Sequence, residues 1–276
     1  MRVLHARIDI DTDGTRQRGS RFGERLDLRA FTFWSRTLFK PLGTVYEKRM
    51  ISVVILAHNE ADEIGGLLGD FTAFEGLELI VAEDASTDHT PDIVQEFATR
   101  NSNVILSSSS VLAGKGAALR RGLALATGEV LGFVDGDASI HPRDFMRVAA
   151  TIEQGADLAV GSRRLRGSII ARPQPFSRRL SGSMYRMLAH LLLDTTIHDF
   201  QCGCKAFRRE VWEAITLTCD GFAFDAELIA KAHREGFTIV EVPITWSNKA
   251  NSKVSLTRDT LAMLRCLLKT RAEVRG

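Results

Sequence analysis

Between Ile51 and Val160 short apolar runs alternate with stretches of helical periodicity, and this alternation restricts the fold more than any other feature of the 276 residues. The runs Ile51–Ala57, 77–82, 104–106, 130–134 and 158–160 are rich in Val, Ile and Leu and too short for buried helices. Helical patterns occupy 60–71, 90–99, 115–126 and 142–153. Strands that are apolar on both faces and joined by helices form right-handed βαβ units on a parallel sheet. The expected class is therefore α/β, a Rossmann-like, mostly parallel sheet flanked by helices. Ligands of such sheets, nucleotides among them, gather at the carboxyl ends of the strands.

After Gly161 the rhythm changes. A basic loop (Arg163, Arg164, Arg166, Arg172) leads to a helix near 176–193, a strand near 205–207, a helix at 225–235, a strand at 237–242 and a terminal helix from about residue 256. With no flexible linker between the halves, the second reads as a lobe added to the first. The chain divides into a basic extension (1–50), a principal domain (51–256) and a C-terminal amphipathic helix (257–276). That helix sets Leu261, Met263, Leu264, Leu267 and Leu268 beside Arg258, Arg265, Lys269 and Arg271. It reads as resting on an anionic bilayer, packing on a sister subunit in a homodimer, or packing on the core.

A net charge of +2 argues against a dedicated nucleic-acid binder. The first fifty residues nevertheless hold eleven Lys/Arg against six Asp/Glu, which suits an anionic partner. Their second half reads as an interfacial amphipathic segment, and the stretch reads equally as a poorly ordered extension or an upstream mis-start ahead of Met50. No run approaches the roughly 18–20 apolar residues of a membrane-spanning helix. The four cysteines, without a secretory pattern, are expected as reduced thiols in a cytosolic setting, and Cys202-Gly203-Cys204 lacks zinc-site spacing.

The strongest chemical signal is Val134-Asp135-Gly136-Asp137-Ala138-Ser139, an apolar strand that ends in two carboxylates one residue apart. Alternate side chains of an extended segment point the same way, so Asp135 and Asp137 can converge on one hard cation, to which a diphosphate adds oxygens. Polar residues also follow the first two strands, in Ala57-His58-Asn59-Glu60 and in Glu83-Asp84-Ala85-Ser86-Thr87-Asp88. Helix capping accounts for Asp88, whereas the adjacent acids Glu83 and Asp84 exceed what capping needs. Gly114-Lys115-Gly116 opens a helix whose free N–H groups would favour an anion, although its spacing is not that of a Walker A loop.

These residues resemble the family-2 glycosyltransferases of GT-A fold, and within them the polyprenyl-phosphate hexosyltransferases. The match is best to dolichyl-phosphate glucosyltransferases, with the mannosyltransferases as cousins. It is carried by Gly114-Lys115-Gly116-Ala117-Ala118-Leu119-Arg120, by Asp199-Phe200-Gln201-Cys202-Gly203 with Lys205 and Phe207, by Phe224-Asp225-Ala226-Glu227-Leu228, and by Glu241-Val242-Pro243 with Trp246 and Ser252-Lys253. The resemblance implies that Ala57, Asn59, Glu60, Glu83, Asp84, Lys115, Asp135 and Gly136 bind the nucleotide-sugar. It implies that Asp135, Asp137 and Ser139 hold Mn2+ or Mg2+, and that Asp199, Asp137 and Arg163 serve catalysis. Arg163, Arg178, Arg179, Lys249 and Lys253 would meet the lipid phosphate. The chain departs from the family at Ala57-His58, at Glu83 where an Asp is usual, at Cys204 and at Ser139.

The implied reaction is inverting transfer of a hexose, with UDP-glucose first and UDP-N-acetylglucosamine or GDP-mannose behind it, to polyprenyl or dolichyl phosphate. The enzyme would sit peripherally on the cytoplasmic face of a membrane. A phosphate acceptor is already ionised, so Asp199 is expected to orient rather than to act as an essential base. The alternatives are a transferase acting on a sugar hydroxyl, a nucleotidyltransferase, which would bring a Gly-rich Lys loop on the first strand, and a non-catalytic sugar-nucleotide-binding subunit.

Overall fold

The computed structural model describes residues 49–172, 176–249 and 258–275, with side chains from 182 onward in the helix that starts at 176 and from 260 onward in the helix that starts at 258. The extension before residue 49 and Lys253 lie outside the described residues, as do the side chains of Arg178 and Arg179. Strands β1 (Ile51–Ala57), β2 (Leu77–Asp84), β3 (Val104–Ser109), β4 (Val130–Asp135) and β5 (Leu158–Ser162) fall where the apolar runs predict. Between them lie α1 (Ala61–Thr72), α2 (Thr90–Arg100), α3 (Lys115–Leu123) and α4 (Pro142–Glu153). Helix α3 stops three residues earlier than its periodicity suggests.

The second half adds β6 (Ile169–Arg172), α5 (Phe176–Leu193), β7 (Cys204–Arg208), α6 (Arg209–Ala214), α7 (Phe224–Arg234), β8 (Ile239–Pro243), β9 (Thr245–Ser247) and α8 (Arg258–Arg275). It is not a lobe beside the first half, because β7 and β8 complete the same seven-stranded sheet, in the order β3-β2-β1-β4-β7-β5-β8. Strand β7 runs antiparallel between β4 and β5, and the other pairings are parallel. The carboxyl ends of β1 to β5 therefore share one edge, and the start of β7 arrives at that same edge. Part of the expected basic loop is instead β6, paired in parallel with β9 in a second, two-stranded sheet.

Both faces of the large sheet are covered, which explains the unbroken apolar runs. Val54, Ile80, Leu131 and Phe133 face a cluster with α3 and α7, while Val53, Ile55, Leu79 and Val81 face one with α1 and α4. The expectation of four reduced thiols is corrected: Cys219 and Cys266 form a disulfide, with Cα atoms 6.0 Å apart, that ties α8 to the loop before α7. Sequence reasoning missed the pair because it joins residues far apart in the chain. Glu227 lies beside this bridge, but its carboxylate is engaged by the N–H groups of Thr218 and Cys219 and by Lys231. Cys202 and Cys204 are free and buried, and burial pushes the Cys202 thiol up to about 12. No helix among the described residues is long and apolar enough to cross a membrane.

Asp88 caps two helices at once. Its carboxylate accepts from Ala61 N at the head of α1 (3.1 Å) and from Thr90 N at the head of α2 (3.0 Å). Asp88→Ala is therefore expected to lower stability by about 1–2 kcal/mol, the upper range for loss of a single cap. Urea denaturation with an unchanged m-value would check it.

Candidate active site

The shared edge carries the chemistry. At the end of β1, Asn59 adopts φ +52° and docks on the β2 loop, accepting from Thr87 N at 2.7 Å while its own N–H donates to Ser86 Oγ at 2.9 Å. Ala57 is buried at the strand's last position, and Glu60 N donates to Thr90 Oγ1. Glu83 accepts from Ser86 N and from Ser108 Oγ. Burial would raise its pKa, but these donors and Arg121 outweigh that and hold it below the ordinary carboxylate range. Asp84 accepts from Ala113 N at 3.1 Å and Gly114 N at 2.7 Å, which fixes the loop leading into α3. The two acids thus have structural duties, yet each carboxylate retains lone pairs for a ligand.

At the end of β4, Gly136 N donates to Leu56 O at 2.9 Å, and a Cβ at Gly136 would lie as close to that same oxygen. Ala138 takes φ +51°, closing a turn in which Ser139 donates its backbone N–H to Asp137 Oδ1 at 2.9 Å and its hydroxyl to the same carboxylate. Burial, followed by repulsion from Asp135, raises the pKa of Asp137. Lys115 Nζ lies 2.6 Å from Asp135 Oδ1 in an ion pair whose angles miss those of a hydrogen bond, so that oxygen has no hydrogen-bond partner. Burial opposes the charge on Lys115, but Asp135, Asp225 and Asp137 overcome it and raise its pKa. Two carboxylates close enough to repel each other, one held up in pKa and the other already against a cation, fit a divalent ion.

The helix head is less open than expected. Gly116 N and Ala117 N both donate to Asp220 O, at 2.6 and 3.2 Å, so these N–H groups are not free for an anion. Lys115 supplies the charge there instead.

Arg163 leaves the end of β5 and meets Asp199 at the entry to β7. Its backbone N and Nε donate to Asp199 Oδ2 at 2.9 and 2.7 Å, and Nη2 donates to Oδ1 at 2.7 Å. The guanidinium also lies 5.4 Å from the centroid of the Trp246 ring. Burial alone would raise Asp199, but Arg163 holds it well below the ordinary carboxylate range, and Asp199 in turn raises Arg163. Lys249 is drawn to Glu63 on α1 at 2.8 Å.

Several residues at this edge carry the resemblance in the sequence but were given no role there. Gly203 O accepts from Asp135 N, and a Cβ at Gly203 would strike the Asp135 carboxylate. Lys205, fully buried, pairs with Asp225 and donates to the carbonyls of Phe200 and Cys202. Glu241 accepts from Asp199 N and from both His198 N and the His198 ring. A lysine inside the apolar run Cys204-Lys205-Ala206-Phe207 was the available signal.

The family model for glycosyl transferase family 2 matches residues 52–216. The chain belongs to that family. It is 33% identical over 230 residues to the glycosyltransferase AglD of Haloferax volcanii, covering 80% of this chain and 36% of that one. To the polyprenol monophosphomannose synthase of Mycolicibacterium smegmatis it is 32% identical over 219 residues, 75% of this chain and 80% of the other. To the dolichyl-phosphate beta-glucosyltransferase of Dictyostelium discoideum it is 28% identical over 250 residues, 84% and 75% of the respective chains. The family-2 chain thus spans little more than a third of AglD but three quarters or more of the other two. Glucosyl-3-phosphoglycerate synthase of Mycobacterium tuberculosis, solved with Mn2+, UDP and glucosyl-3-phosphoglycerate, superimposes with a TM-score of 0.62 at 23% identity over 85% of this glycosyltransferase and 86% of the synthase. The fold is GT-A.

Because the folded-state pKa of Asp137 is raised, its ionised form opposes folding, and that penalty grows as pH rises through the folded value. Asp137→Asn is expected to stabilise the protein by on the order of 1 kcal/mol at pH 8 and to have little effect near pH 3, where the carboxyl is protonated. Urea midpoints at the two pH values test this, and equal shifts at both would refute it.

Proposed function

We propose that the enzyme transfers a hexose from a nucleotide-sugar, UDP-glucose first, to polyprenyl or dolichyl phosphate, with inversion and with Mn2+ or Mg2+ as cofactor. The observation that carries this reading is the state of Asp199. Its carboxylate accepts three N–H bonds from Arg163 and is held ionised. A hydroxyl acceptor must give its proton to a base within hydrogen-bond reach, whereas a phosphate arrives as an anion and needs a cation. The guanidinium of Arg163, steadied by Asp199 and Trp246, supplies one, and exposed Arg164 and Arg166 add charge in the same loop. The names of the Mycolicibacterium and Dictyostelium relatives support a polyprenyl or dolichyl acceptor and divide over the sugar. Glucose stays first on the motif blocks.

In this reading an acceptor phosphate oxygen attacks the anomeric carbon from the side opposite the departing nucleoside diphosphate, which inverts the configuration. Asp135 and Asp137 would hold the metal ion, with Ser139 supporting Asp137. When bound, the ion offsets the charge that develops on the leaving diphosphate, which makes up most of the barrier to such a transfer. Lys115 adds positive charge beside them. Ala57, Asn59, Glu60, Glu83, Asp84 and Gly136 would bind the nucleotide, and Arg178, Arg179, Lys249 and Lys253 would meet the lipid phosphate.

We place the enzyme peripherally, on the cytoplasmic face of a membrane. Helices α5 and α8 pack together, and each leaves apolar residues in the open: Met184, Met187 and Leu191 on α5, Leu261 and Leu268 on α8. The first three recur at i, i+3 and i+7, one stripe of a helix, as an interfacial segment requires. A sister subunit on this face, giving a homodimer, is the competing occupant.

A second reading, a hydroxyl acceptor, is favoured by one observation. His198 Nδ1 lies 2.7 Å from Glu241 Oε2, and a histidine oriented by a carboxylate is the arrangement of a general base.

Transfer of radiolabelled sugar from UDP-glucose, UDP-N-acetylglucosamine and GDP-mannose to a polyprenyl phosphate, with Mn2+, Mg2+ or EDTA, tests the proposal. One donor should give a lipid-extractable product of inverted configuration, lost in EDTA and reduced at least about 100-fold in Asp137→Ala. No product from any donor, with nucleotide binding intact, would sink the acceptor assignment. Arg166→Glu should raise the apparent KM for the lipid about tenfold, roughly 1.4 kcal/mol, and leave that for the nucleotide-sugar within about twofold. Equal effects on both substrates would refute that division of labour.

A further inference from the structure

Helix α3 begins at Lys115 and is pinned there, since the N–H groups of Gly116 and Ala117 both donate to Asp220 O and Gly114 N donates to Asp84. The anchored helix delivers the ammonium between carboxylates. Lys115 Nζ stands 2.6 Å from Asp135 Oδ1 and 5.8 Å from the Phe224 ring centroid, with Asp137 and Asp225 the other charges acting on it. That oxygen has no other partner, and the backbone of Asp135 is fixed through its N–H to Gly203 O at 3.1 Å. Both members of the pair are largely out of water, with side-chain exposures of 19% and 27%.

We infer that Lys115 is the resident counter-ion of the Asp135–Asp137 pair and competes with a divalent cation for Asp135, so that metal binds poorly alone and well together with a nucleoside diphosphate. The inference rests on the metal assignment proposed above. A cation entering alone must displace the ammonium from Asp135 and leave it desolvated without a partner, and an uncompensated charge in such a place is costly. A cation that enters with a diphosphate brings the anion the released ammonium needs, exchanging one pairing for another. Metal and nucleotide affinities are then coupled, and each must raise the other by the same factor. The negative charge of Asp135 is meanwhile never left bare, because the lysine neutralises it until the ligand pair arrives.

Mn2+ binding to the full chain is measured by electron paramagnetic resonance, without nucleotide and with UDP or GDP, in wild type, Lys115→Met and Lys115→Arg, with thermal melts to verify folding. Without nucleotide, Lys115→Met should bind Mn2+ at least about tenfold more tightly than wild type, while Lys115→Arg, which keeps a cation at the pair, stays within about threefold of it. The nucleotide should improve Mn2+ binding by a larger factor in wild type than in Lys115→Met. Unchanged or weaker Mn2+ binding by a folded Lys115→Met would overturn the inference, as would Lys115→Arg behaving like Lys115→Met. Binding of neither Mn2+ nor nucleotide by wild type would overturn the metal assignment and this inference together. If the predicted coupling is found and no lipid product forms, the inference stands and the acceptor assignment alone falls.

Discussion

Lys205 is wholly buried, and much of the active-site edge is arranged around satisfying its charge. The ammonium donates to Phe200 O at 3.0 Å, to Cys202 O at 2.9 Å and to the Asp225 carboxylate, so its three donors are all used. The ring of Phe133, its neighbour across the β4–β7 pairing, lies 5.4 Å away. The two carbonyls belong to the loop that presents Asp199 to Arg163 and sets Gly203 against Asp135. One side chain thus fixes the segment that joins the acidic pair to the arginine. Removing either partner of a buried ion pair strands the other, at a cost of about 3–5 kcal/mol, so the arrangement resists piecemeal change. It also depends on strand direction: were β7 parallel to β4, its first residues would emerge at the opposite edge and Asp199 could not reach Arg163.

The parallel half of the fold was legible because strands covered on both faces must be apolar throughout, and five such runs separated by helical periodicity leave little choice. Asp135 and Asp137 were legible for the same reason, as charges that end an apolar strand. Asp88 was rightly read as a cap, although its service to two helices depends on a tertiary contact that no local pattern encodes. The direction of β7 was hidden, since a short run such as Cys204–Arg208 has the same composition whichever way it runs. Strand β6 is exposed along its whole length and so lacks the apolar signature on which the reading relied. The N–H groups at the head of α3 looked free because Asp220, the residue that caps them, is about a hundred positions away. Lys205 and Asp225 stood in plain view inside motif blocks, but only burial reveals that they are paired with each other rather than with a ligand.

The charges at the edge do not balance by themselves. Asp135, Asp137, Asp199 and Asp225 face Lys115, Arg163 and Lys205, and with Glu83, Asp84 and Glu241 also at the edge, against Arg121, carboxylates outnumber cations in a region largely removed from solvent. Asp199 is fully served by Arg163 and is held low, so the unmet charge falls on the others. The pKa values of Asp137 and Asp225 are raised, by burial first and by the nearby charge of Asp135 as well. A site optimised only for stability would have replaced one of these acids, and retaining them keeps a standing demand for positive charge. Lys115 meets part of that demand from the side of α3. A divalent ion at the pair would meet more of it, and the diphosphate that accompanies the ion would pair with the cations already there. This local excess of negative charge is the physical ground for the inferred coupling between a cation and an anionic donor, and it is set by the fold before any ligand arrives.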